Sequence, residues 1–270
     1  MTFKLAAFAD EAAADIKDQI EVLKENNISL LEIRGVDGTN IADISLAKAK
    51  EVRSILDNAG ISCWSLGSPF GKIGINDDFY SHLESFKRSL DVCEVLGAHH
   101  IRLFSFYNAI GHFDEVAKRL DKFVRSAKGY NVILCHENEK DIYGDIASRC
   151  LEIHKNFPEI KAVFDPANFI QSGQDTKEAW TLLSPYIEYM HIKDALSDGF
   201  VVPAGKGIGN IPILLGEYKG EVLTIEPHLT VFEGFNELEA TNRSNIRKYA
   251  YSNSVEAFKA AVDALNNLIK

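Results

Sequence analysis

The sequence predicts an α/β fold, a single (β/α)8 barrel (TIM barrel) that spans residues 1–270 as one domain. Short apolar segments alternate with longer amphipathic stretches from one end of the chain to the other, which is typical of repeated strand–helix units. The length of 270 residues suits this fold, which typically needs about 250 residues. No linker rich in Pro, Gly or Ser divides the chain.

Eight apolar segments predict the parallel strands of the barrel. They lie near residues 3–9, 29–34, 61–66, 99–105, 131–137, 160–165, 186–192 and 221–226. Between the first two, Ile16, Ile20 and Leu23 fall on one helical stripe that should pack against the barrel wall. The same spacing recurs in Ala49–Leu56, Phe86–Leu96 and Val116–Val124. Gly or Asn, which favour the left-handed cap, predict helix ends at Asn26-Asn27, Asn58-Ala59-Gly60, Leu96-Gly97 and Lys128-Gly129.

The last two units depart from this regular pattern. Leu196–Asn210 contains four glycines and predicts a long loop, after which only a short helix, about Pro212–Tyr218, fits. Barrels place substrate contacts on such loops. The segment Phe232–Lys270 is too long for one ordinary helix, and we expect a break within Thr241–Ser254.

Composition and charge indicate a globular protein that acts on small molecules. Apolar residues make up 46% of the chain, no run approaches the ~18 apolar residues of a membrane span, and acidic residues soon follow the start. We therefore expect a cytoplasmic protein without a membrane partner. A formal charge of −10 argues against nucleic-acid binding, which depends on clustered Lys and Arg. The four cysteines show no C-x-x-C pairing and should be buried, reduced thiols.

Predicted strands 5 to 8 each end on a side chain that can bind a hard divalent cation. These side chains are Glu137, Asp165, His191 and Glu226. Any one of them is more often a helix cap or a loop charge, but four donors at the same depth on successive strands are improbable as accidents. Strand alternation places Cys135 on the same face as Glu137, the face that should point into the barrel. The sequence therefore predicts a metal site at one end of the barrel.

The donor set narrows the choice of metal. Carboxylates and an imidazole, without thiolates, suit one ion of Mn²⁺, Mg²⁺, Co²⁺ or Zn²⁺, and Mn²⁺ is our first expectation.

Four further residues are candidates for the surroundings of this site. Asn168 either reaches back towards the metal or serves as a turn residue. Lys193 shares the strand face of His191, where it would polarise a substrate oxygen or pair with a ligand carboxylate. His228 is a substrate contact or a rim histidine. Arg102 contacts substrate, or internal Arg–Glu pairs between adjacent barrel strands explain both Arg102 and Glu32.

Glycines and a lysine suggest an additional anion site. Lys72, Gly71 and the Gly205-Lys206-Gly207 turn could hold a phosphate, since flexible glycine backbone together with a cation suits an anion. A solvated loop explains the same residues. Asp194 fits a loop or cap carboxylate.

At these residues the chain resembles the sugar phosphate isomerase/epimerase superfamily of xylose isomerase-like TIM barrels. Ketose 3-epimerases, inosose dehydratase, hydroxypyruvate isomerase and endonuclease IV belong to it. The resemblance covers essentially the whole chain. It is most specific in Glu137-Asn138, Phe164-Asp165-Pro166-Ala167-Asn168, His191-Ile192-Lys193-Asp194, the Gly205–Pro212 loop and Thr224-Ile225-Glu226-Pro227.

The resemblance implies a metal-dependent enzyme that transfers a proton on a carbohydrate. Glu137, Asp165, His191 and Glu226 would hold one divalent ion, and Glu137 and Glu226 would act as the acid/base pair through an enediolate. A homo-oligomer is a further expectation from the family. The alternatives are a lyase or dehydratase of an inosose-like or keto-sugar substrate, an endonuclease IV-like nuclease, and a non-catalytic sugar-binding barrel.

Two departures from known members bear on the substrate and on the metal count. Ketose 3-epimerases usually carry a histidine where Asn168 stands, so contacts to a substrate hydroxyl differ. The endonuclease needs extra ligands for three zinc ions, whereas strands 2 and 3 here end on Arg34, Ser65 and Ser68. These residues predict one metal ion.

Overall fold

The computed structural model describes residues 3–230 and 251–270, which contain a closed barrel of eight parallel strands. The strands are β1 (Lys4–Ala7), β2 (Leu30–Ile33), β3 (Ser62–Leu66), β4 (His100–Leu103), β5 (Ile133–Glu137), β6 (Ile160–Phe164), β7 (Ile187–Ile192) and β8 (Val222–Ile225). Each pairs with its neighbours in chain order, and β1 pairs with β8 to close the barrel. The fold class and all eight predicted strands are confirmed, with ends that shift by at most two residues.

Helices follow the strands and cover the outside of the barrel. They are α1 (Ile16–Glu25), α2 (Leu46–Ala59), α3 (Phe79–Leu96), α4 (Phe113–Ala127), α5 (Ala147–Asn156), α6 (Pro166–Gln171), α7 (Thr176–Leu183), α8 (Ile211–Glu217) and α9 (Ser254–Ile269). Side-chain caps begin several of them; Asp78, for example, accepts the backbone N–H groups of Tyr80 and Ser81 at the start of α3. Gly60 and Gly97 end α2 and α3 with positive φ angles, as predicted.

Alternation along the strands divides the apolar core into two layers. Leu134 points outward into the layer between strands and helices, whereas Cys135 points into the barrel. The inner layer is small and consists of Ala6, Cys135, Val163, Tyr189 and Val222, with Leu30, Trp64 and Ile133 against it. Because this layer fills the barrel, polar side chains that follow it on the same strand faces collect at the carboxyl end. All four cysteines are buried and unpaired, as expected.

The loop after β7 is long, as predicted, and contains a two-residue ladder between Asp194–Ala195 and Val201–Val202. None of the described helices is long and apolar enough to cross a membrane. The expected break within Thr241–Ser254 lies mostly outside the described residues, which resume at residue 251 and lead into α9.

Candidate metal centre

The four predicted ligands meet at the carboxyl end of the barrel. Ligand atoms of Glu137, Asp165, His191 and Glu226 all lie within 4.8 Å of one another, and all four residues are buried. His191 Nδ1 is 3.0 Å from Glu137 Oε1 and 3.3 Å from Glu226 Oε2. The convergence expected from the strand ends is therefore present in the structure.

Asp165 is held in place by its neighbours on β5 and α6. The side chain of Asn138 bonds the Asp165 backbone twice, with Nδ2 donating to the carbonyl and Oδ1 accepting the N–H, both at 2.9 Å. Asp165 also begins α6, because its Oδ1 accepts the backbone N–H of Asn168. Its Oδ2 is buried and makes no hydrogen bond, although Lys193 Nζ lies 3.0 Å away. One carboxylate oxygen of Asp165 thus caps α6, while the other faces the candidate metal centre.

His191 is oriented by a carboxylate on the opposite side of its ring. Nε2 lies 3.2 Å from Glu32 Oε2, within hydrogen-bond distance, and Glu32 Oε1 accepts the hydroxyl of Tyr189. Phe8 packs edge-on against the imidazole with ring centroids 5.2 Å apart. Burial lowers the His191 pKa, but Glu137 and Glu32 overcome this effect and hold it well above its usual value. A metal would have to compete with that proton for Nδ1.

Lys193 links two of the carboxylates predicted to be metal ligands. Its Nζ lies 3.0 Å from Asp165 Oδ2 and donates to Glu226 Oε2 at 3.0 Å. Burial alone would raise the pKa of Glu226, but Lys193, His228 and His191 hold it well below its usual value. The structure thus agrees with the expectation that Lys193 pairs with ligand carboxylates.

Two buried arginines complete the ring of charge around Glu226. Arg102 Nη1 donates to Glu137 Oε2 at 3.0 Å and lies 3.9 Å from Glu226 Oε1. Arg34 contacts the same Glu226 oxygen at 3.4 Å. Both guanidinium carbons lie over the ring of Phe8, at 4.5 Å for Arg34 and 5.0 Å for Arg102. Their side chains are fixed by these contacts and oriented towards the acid/base candidates.

The charge and chemistry of the cluster fit a divalent cation. Among the described residues around the site, buried carboxylates outnumber buried lysines and arginines; the carboxylates are Glu11, Glu32, Glu137, Asp165 and Glu226, and the cations are Arg34, Arg102 and Lys193. Burial, together with Glu226 and Glu137, raises the pKa of Asp165 to about 7. A divalent ion would stabilise the ionised form of this carboxylate. Asp165 Oδ2, which makes no hydrogen bond although Lys193 Nζ lies 3.0 Å away, supplies a ready ligand atom.

The remaining predicted residues surround this cluster at different distances. Asn168 reaches back towards the cluster, since its Nδ2 donates to Glu137 Oε1 at 3.2 Å. It lies within α6 rather than in a turn, and its backbone N–H donates to Asp165 Oδ1. His228 Nε2 lies 3.5 Å from Glu226 Oε1. Lys72 lies at the rim, where its Nζ donates to Glu139 Oε2 at 2.8 Å and sits over the Phe104 ring.

The expectation of a phosphate site in the glycine loops is wrong. The N–H groups of Gly205 and Gly207 donate to Asp194 Oδ2, and that of Gly209 donates to Asp194 Oδ1. The Gly71 N–H donates to His82 Nε2 at 2.8 Å. These amides are already bonded within the chain. Asp194 is a loop carboxylate, as its position predicted, and burial raises its pKa against the effect of the amide donors.

Of the internal Arg–Glu pairs expected between adjacent strands, that of Arg102 is present with Glu137 on the neighbouring β5, but Glu32 meets other partners. Glu32 bonds His191, Tyr189 and Ser65, whereas Arg102 bonds Glu137 and the carbonyl of Gly67. Strand alternation correctly points both side chains inward, but it does not say which neighbour across the barrel each one meets.

A second group of donors adjoins the first and was not anticipated. Ligand atoms of Glu11, Glu226 and His228 lie within 4.8 Å of one another. Arg34 already contacts Glu11 at 3.2 Å and Glu226 at 3.4 Å, so a guanidinium neutralises this group. Burial raises the pKa of Glu11 to about 8. The sequence did not predict that Glu11 contributes to the site, because Glu11 lies in a short turn after β1 and not at the end of a strand.

The chain belongs to the family of xylose isomerase-like TIM barrels. The family match extends over residues 11–217, which include six of the eight strands and three of the four predicted ligands. No curated protein matches the sequence significantly.

Solved structures share the fold over nearly their whole length at low sequence identity. D-psicose 3-epimerase from Clostridium cellulolyticum H10, solved with D-tagatose, is 15% identical with a TM-score of 0.73, over 98% of this chain and 97% of that one. The probable 3-DHS dehydratase AsbF from Bacillus anthracis is 16% identical with a TM-score of 0.71, over 99% of both chains. The IOLI protein, solved with a zinc atom, is 16% identical with a TM-score of 0.72, over 98% of both chains. At these identities the likeness establishes the fold.

Proposed function

We propose that this protein is a divalent-metal-dependent isomerase or epimerase that moves a proton next to the carbonyl of a sugar. The observation that carries the proposal is the meeting of Glu137, Asp165, His191 and Glu226, four buried donors from successive strands. The fold shared with D-psicose 3-epimerase, and the zinc atom of the IOLI protein, support it. Mn²⁺ is the first choice of metal, and Mg²⁺, Co²⁺ and Zn²⁺ also suit the donor set.

The two glutamates are the proposed acid/base pair. A divalent ion held by the four donors would polarise a carbonyl and the adjacent hydroxyl oxygen, and so acidify the C–H of the hydroxyl-bearing carbon next to the carbonyl. Glu137 and Glu226 stand on β5 and just beyond β8, and each presents an oxygen near His191 Nδ1. One carboxylate would remove the proton to give an enediolate, and the other would return a proton to the opposite face or to the neighbouring carbon.

Neighbouring residues would tune and position this pair. Arg102 Nη1 lies near an oxygen of each glutamate, at 3.0 Å and 3.9 Å, so one cation would stabilise whichever carboxylate is ionised. Asn168 Nδ2 holds the other oxygen of Glu137. Lys193 is the cation best placed to stabilise a developing oxyanion, because its Nζ lies between Asp165 and Glu226.

Exchange of solvent deuterium into candidate sugars tests this function. The protein, loaded with Mn²⁺, is incubated in D₂O with a panel of ketoses, aldoses and inososes, and incorporation is followed by NMR and mass spectrometry. Deuterium at the carbon next to the carbonyl supports the proposal, because every product of this chemistry requires that C–H cleavage. Absence of exchange throughout the panel, with metal bound, would overturn it. The chelated protein is the matched control.

A dehydratase is the second candidate. The same proton abstraction would then be followed by loss of a β-hydroxyl, for which the Lys193 ammonium, 3.0 Å from Glu226 Oε2, is a suitable proton donor. The fold shared with the probable dehydratase AsbF is compatible with it. Product NMR separates the two functions, since a dehydratase product lacks one C–O bond.

A further inference from the structure

We infer that Asp194 fills the position at which this barrel would bind a phosphate, and that the substrate is therefore an unphosphorylated carbohydrate. The inference about the substrate rests on the proposed function, whereas the inference about Asp194 rests only on the loop that follows β7. The supporting observations are the amide donors around this carboxylate, the place of the loop in the fold, and the pairing of the surrounding cations.

The Asp194 carboxylate is enclosed by backbone amides. Oδ2 accepts the N–H of Gly205 at 2.9 Å and that of Gly207 at 3.0 Å. Oδ1 accepts the N–H of Gly209 at 2.9 Å and that of Ala195 at 2.9 Å. Convergent amides of this kind form an anion-binding nest. Here the anion is a side chain of the same protein, and the residue is only 1% exposed.

Glycine is required at this nest because the backbone closely approaches the carboxylate. A Cβ on Gly207 would lie 2.3 Å from Asp194 Oδ1, and a Cβ on Gly209 would lie 2.6 Å from the same atom. The loop also packs against the residue after the metal-ligand candidate Asp165, because a Cβ on Gly209 would lie 3.2 Å from Pro166 Cβ. The nest is thus closed, and its wall adjoins the candidate metal centre.

The nest lies in the loop after β7, where barrels of this kind often bind phosphate. In (β/α)8 barrels a phosphate group frequently binds in the loops after the seventh and eighth strands. Asp194 follows β7 directly, and its amide partners lie in the loop that leads to α8. A substrate phosphate at this place would have to displace a buried carboxylate from four hydrogen bonds and would meet like charge.

Among the described residues, the four cations that contact the buried carboxylates of the site do not provide a second place for a phosphate. Arg34, Arg102, Lys72 and Lys193 each contact at least one buried carboxylate within 3.2 Å. Binding a dianion to any of them would leave that carboxylate without its partner, which is costly away from water. An uncharged polyol can instead share these groups through hydroxyl hydrogen bonds.

The first experiment removes the Asp194 carboxylate from the nest and tests whether inorganic phosphate binds there instead. Thermal unfolding of the full chain is measured with phosphate or chloride at equal ionic strength for the wild type, Asp194→Ala and Asp194→Asn. We expect phosphate to stabilise Asp194→Ala specifically, because its four amides become available. The Asn side chain still fills the space, so Asp194→Asn should not respond. Equal stabilisation of the wild type, or no phosphate effect on Asp194→Ala, would overturn the assignment of the nest.

The second experiment uses the wild type alone and so does not depend on how the variants fold. Solvent deuterium exchange is compared for matched pairs such as D-fructose and D-fructose 6-phosphate, across several ketoses. Exchange into unphosphorylated members, at rates at least tenfold above their phosphates, supports the inference. Preferential exchange into the phosphates overturns it while leaving the proposed function in place. No exchange into any sugar overturns the proposed function, and the inference about the substrate with it. The Asp194 variants would still test whether Asp194 fills the nest.

Discussion

Glu32 Oε2 lies 3.2 Å from Nε2 of His191, on the side of the imidazole opposite the candidate metal centre. Both side chains are completely buried. A carboxylate in this position fixes the ring so that Nδ1 faces the other donors, and it raises the basicity of that nitrogen. Glu32 therefore belongs to the candidate site although it would not touch the metal.

Replacing Glu32 by Gln should weaken metal binding without removing a ligand. Loss of a carboxylate behind a metal-binding histidine typically costs about 10- to 100-fold in metal affinity or activity. Isothermal titration with Mn²⁺ measures this change directly. The exposed Glu159→Gln is the control and should bind Mn²⁺ like the wild type. Unchanged affinity of Glu32→Gln would contradict the role given to Glu32.

Glu137→Gln and Glu226→Gln should each abolish proton transfer while preserving the fold. Removal of a general acid or base typically lowers the rate by about 10²- to 10⁴-fold, and these residues are also proposed ligands, so the loss should reach the upper end. Deuterium exchange at saturating metal measures the rate, and circular dichroism checks the fold. Near-normal turnover by either variant would refute the acid/base assignment.

Arg34→Met should destabilise the protein strongly, because it removes a buried guanidinium that contacts three carboxylates. Arg34 contacts Asp10 at 2.8 Å, Glu11 at 3.2 Å and Glu226 at 3.4 Å. Breaking a buried ion pair from one side typically costs about 3–5 kcal/mol. Urea unfolding measures the change in the free energy of unfolding.

Lys4→Met is the matched control for this variant, since it breaks the exposed pair between Lys4 and Glu221. Exposed pairs contribute little to stability, so Lys4→Met should unfold close to the wild type. Equal losses of unfolding free energy in the two variants would mean that the buried ion pairs of Arg34 stabilise the protein no more than an exposed pair does.

His82 should make the protein less stable in mild acid. Burial and the nearby Arg119 lower its pKa from the usual 6.5 to about 4, and its Nε2 must stay unprotonated to accept the Gly71 N–H. The unfolded chain therefore binds a proton that the folded chain does not, so the contribution of His82 is fully present above pH 6.5 and is lost as the pH falls towards 4.

His82→Gln removes this titration while it keeps an acceptor for the Gly71 N–H. Between pH 6.5 and 4 the stability of the variant should fall less than that of the wild type, by on the order of 2–3 kcal/mol. Urea unfolding across this range measures how the free energy of unfolding changes with pH. The exposed His112→Gln should show the same pH dependence as the wild type. A slope for His82→Gln equal to that of the wild type would exclude His82 as the cause.

Much of the fold was accessible from sequence because the barrel repeats one physical pattern. Apolar strands, amphipathic helices and glycine caps such as Gly60 and Gly97 are local signals that agree with one another. The helices α5, α6 and α7 were not predicted; α6 is only six residues long and depends on Asp165 as its cap. That residues 1–270 form one domain stays a prediction, since residues 231–250 are not described.

Only part of the candidate site could be predicted from the sequence. The alternation of side chains along a strand shows which residues point into the barrel, but not which residue each one contacts across the barrel. Strand ends predicted the positions of Glu137, Asp165, His191 and Glu226, whereas the bond between Glu32 and His191 depends on how β2 and β7 face each other. The phosphate expectation failed for a related reason. The Gly205-Lys206-Gly207 turn does belong to an anion nest, but the sequence does not say that Gly209 completes it or that Asp194 fills it.

The most direct test of the central claim is anomalous diffraction from crystals of the protein loaded with Mn²⁺. We predict one strong peak per chain, with carboxylate oxygens of Glu137, Asp165 and Glu226 and Nδ1 of His191 at roughly 2.0–2.3 Å from it. Crystals of Asp165→Ala treated in the same way should lose most of the peak. A Mn²⁺ ion bound elsewhere, or no ion near these four side chains, would contradict the account.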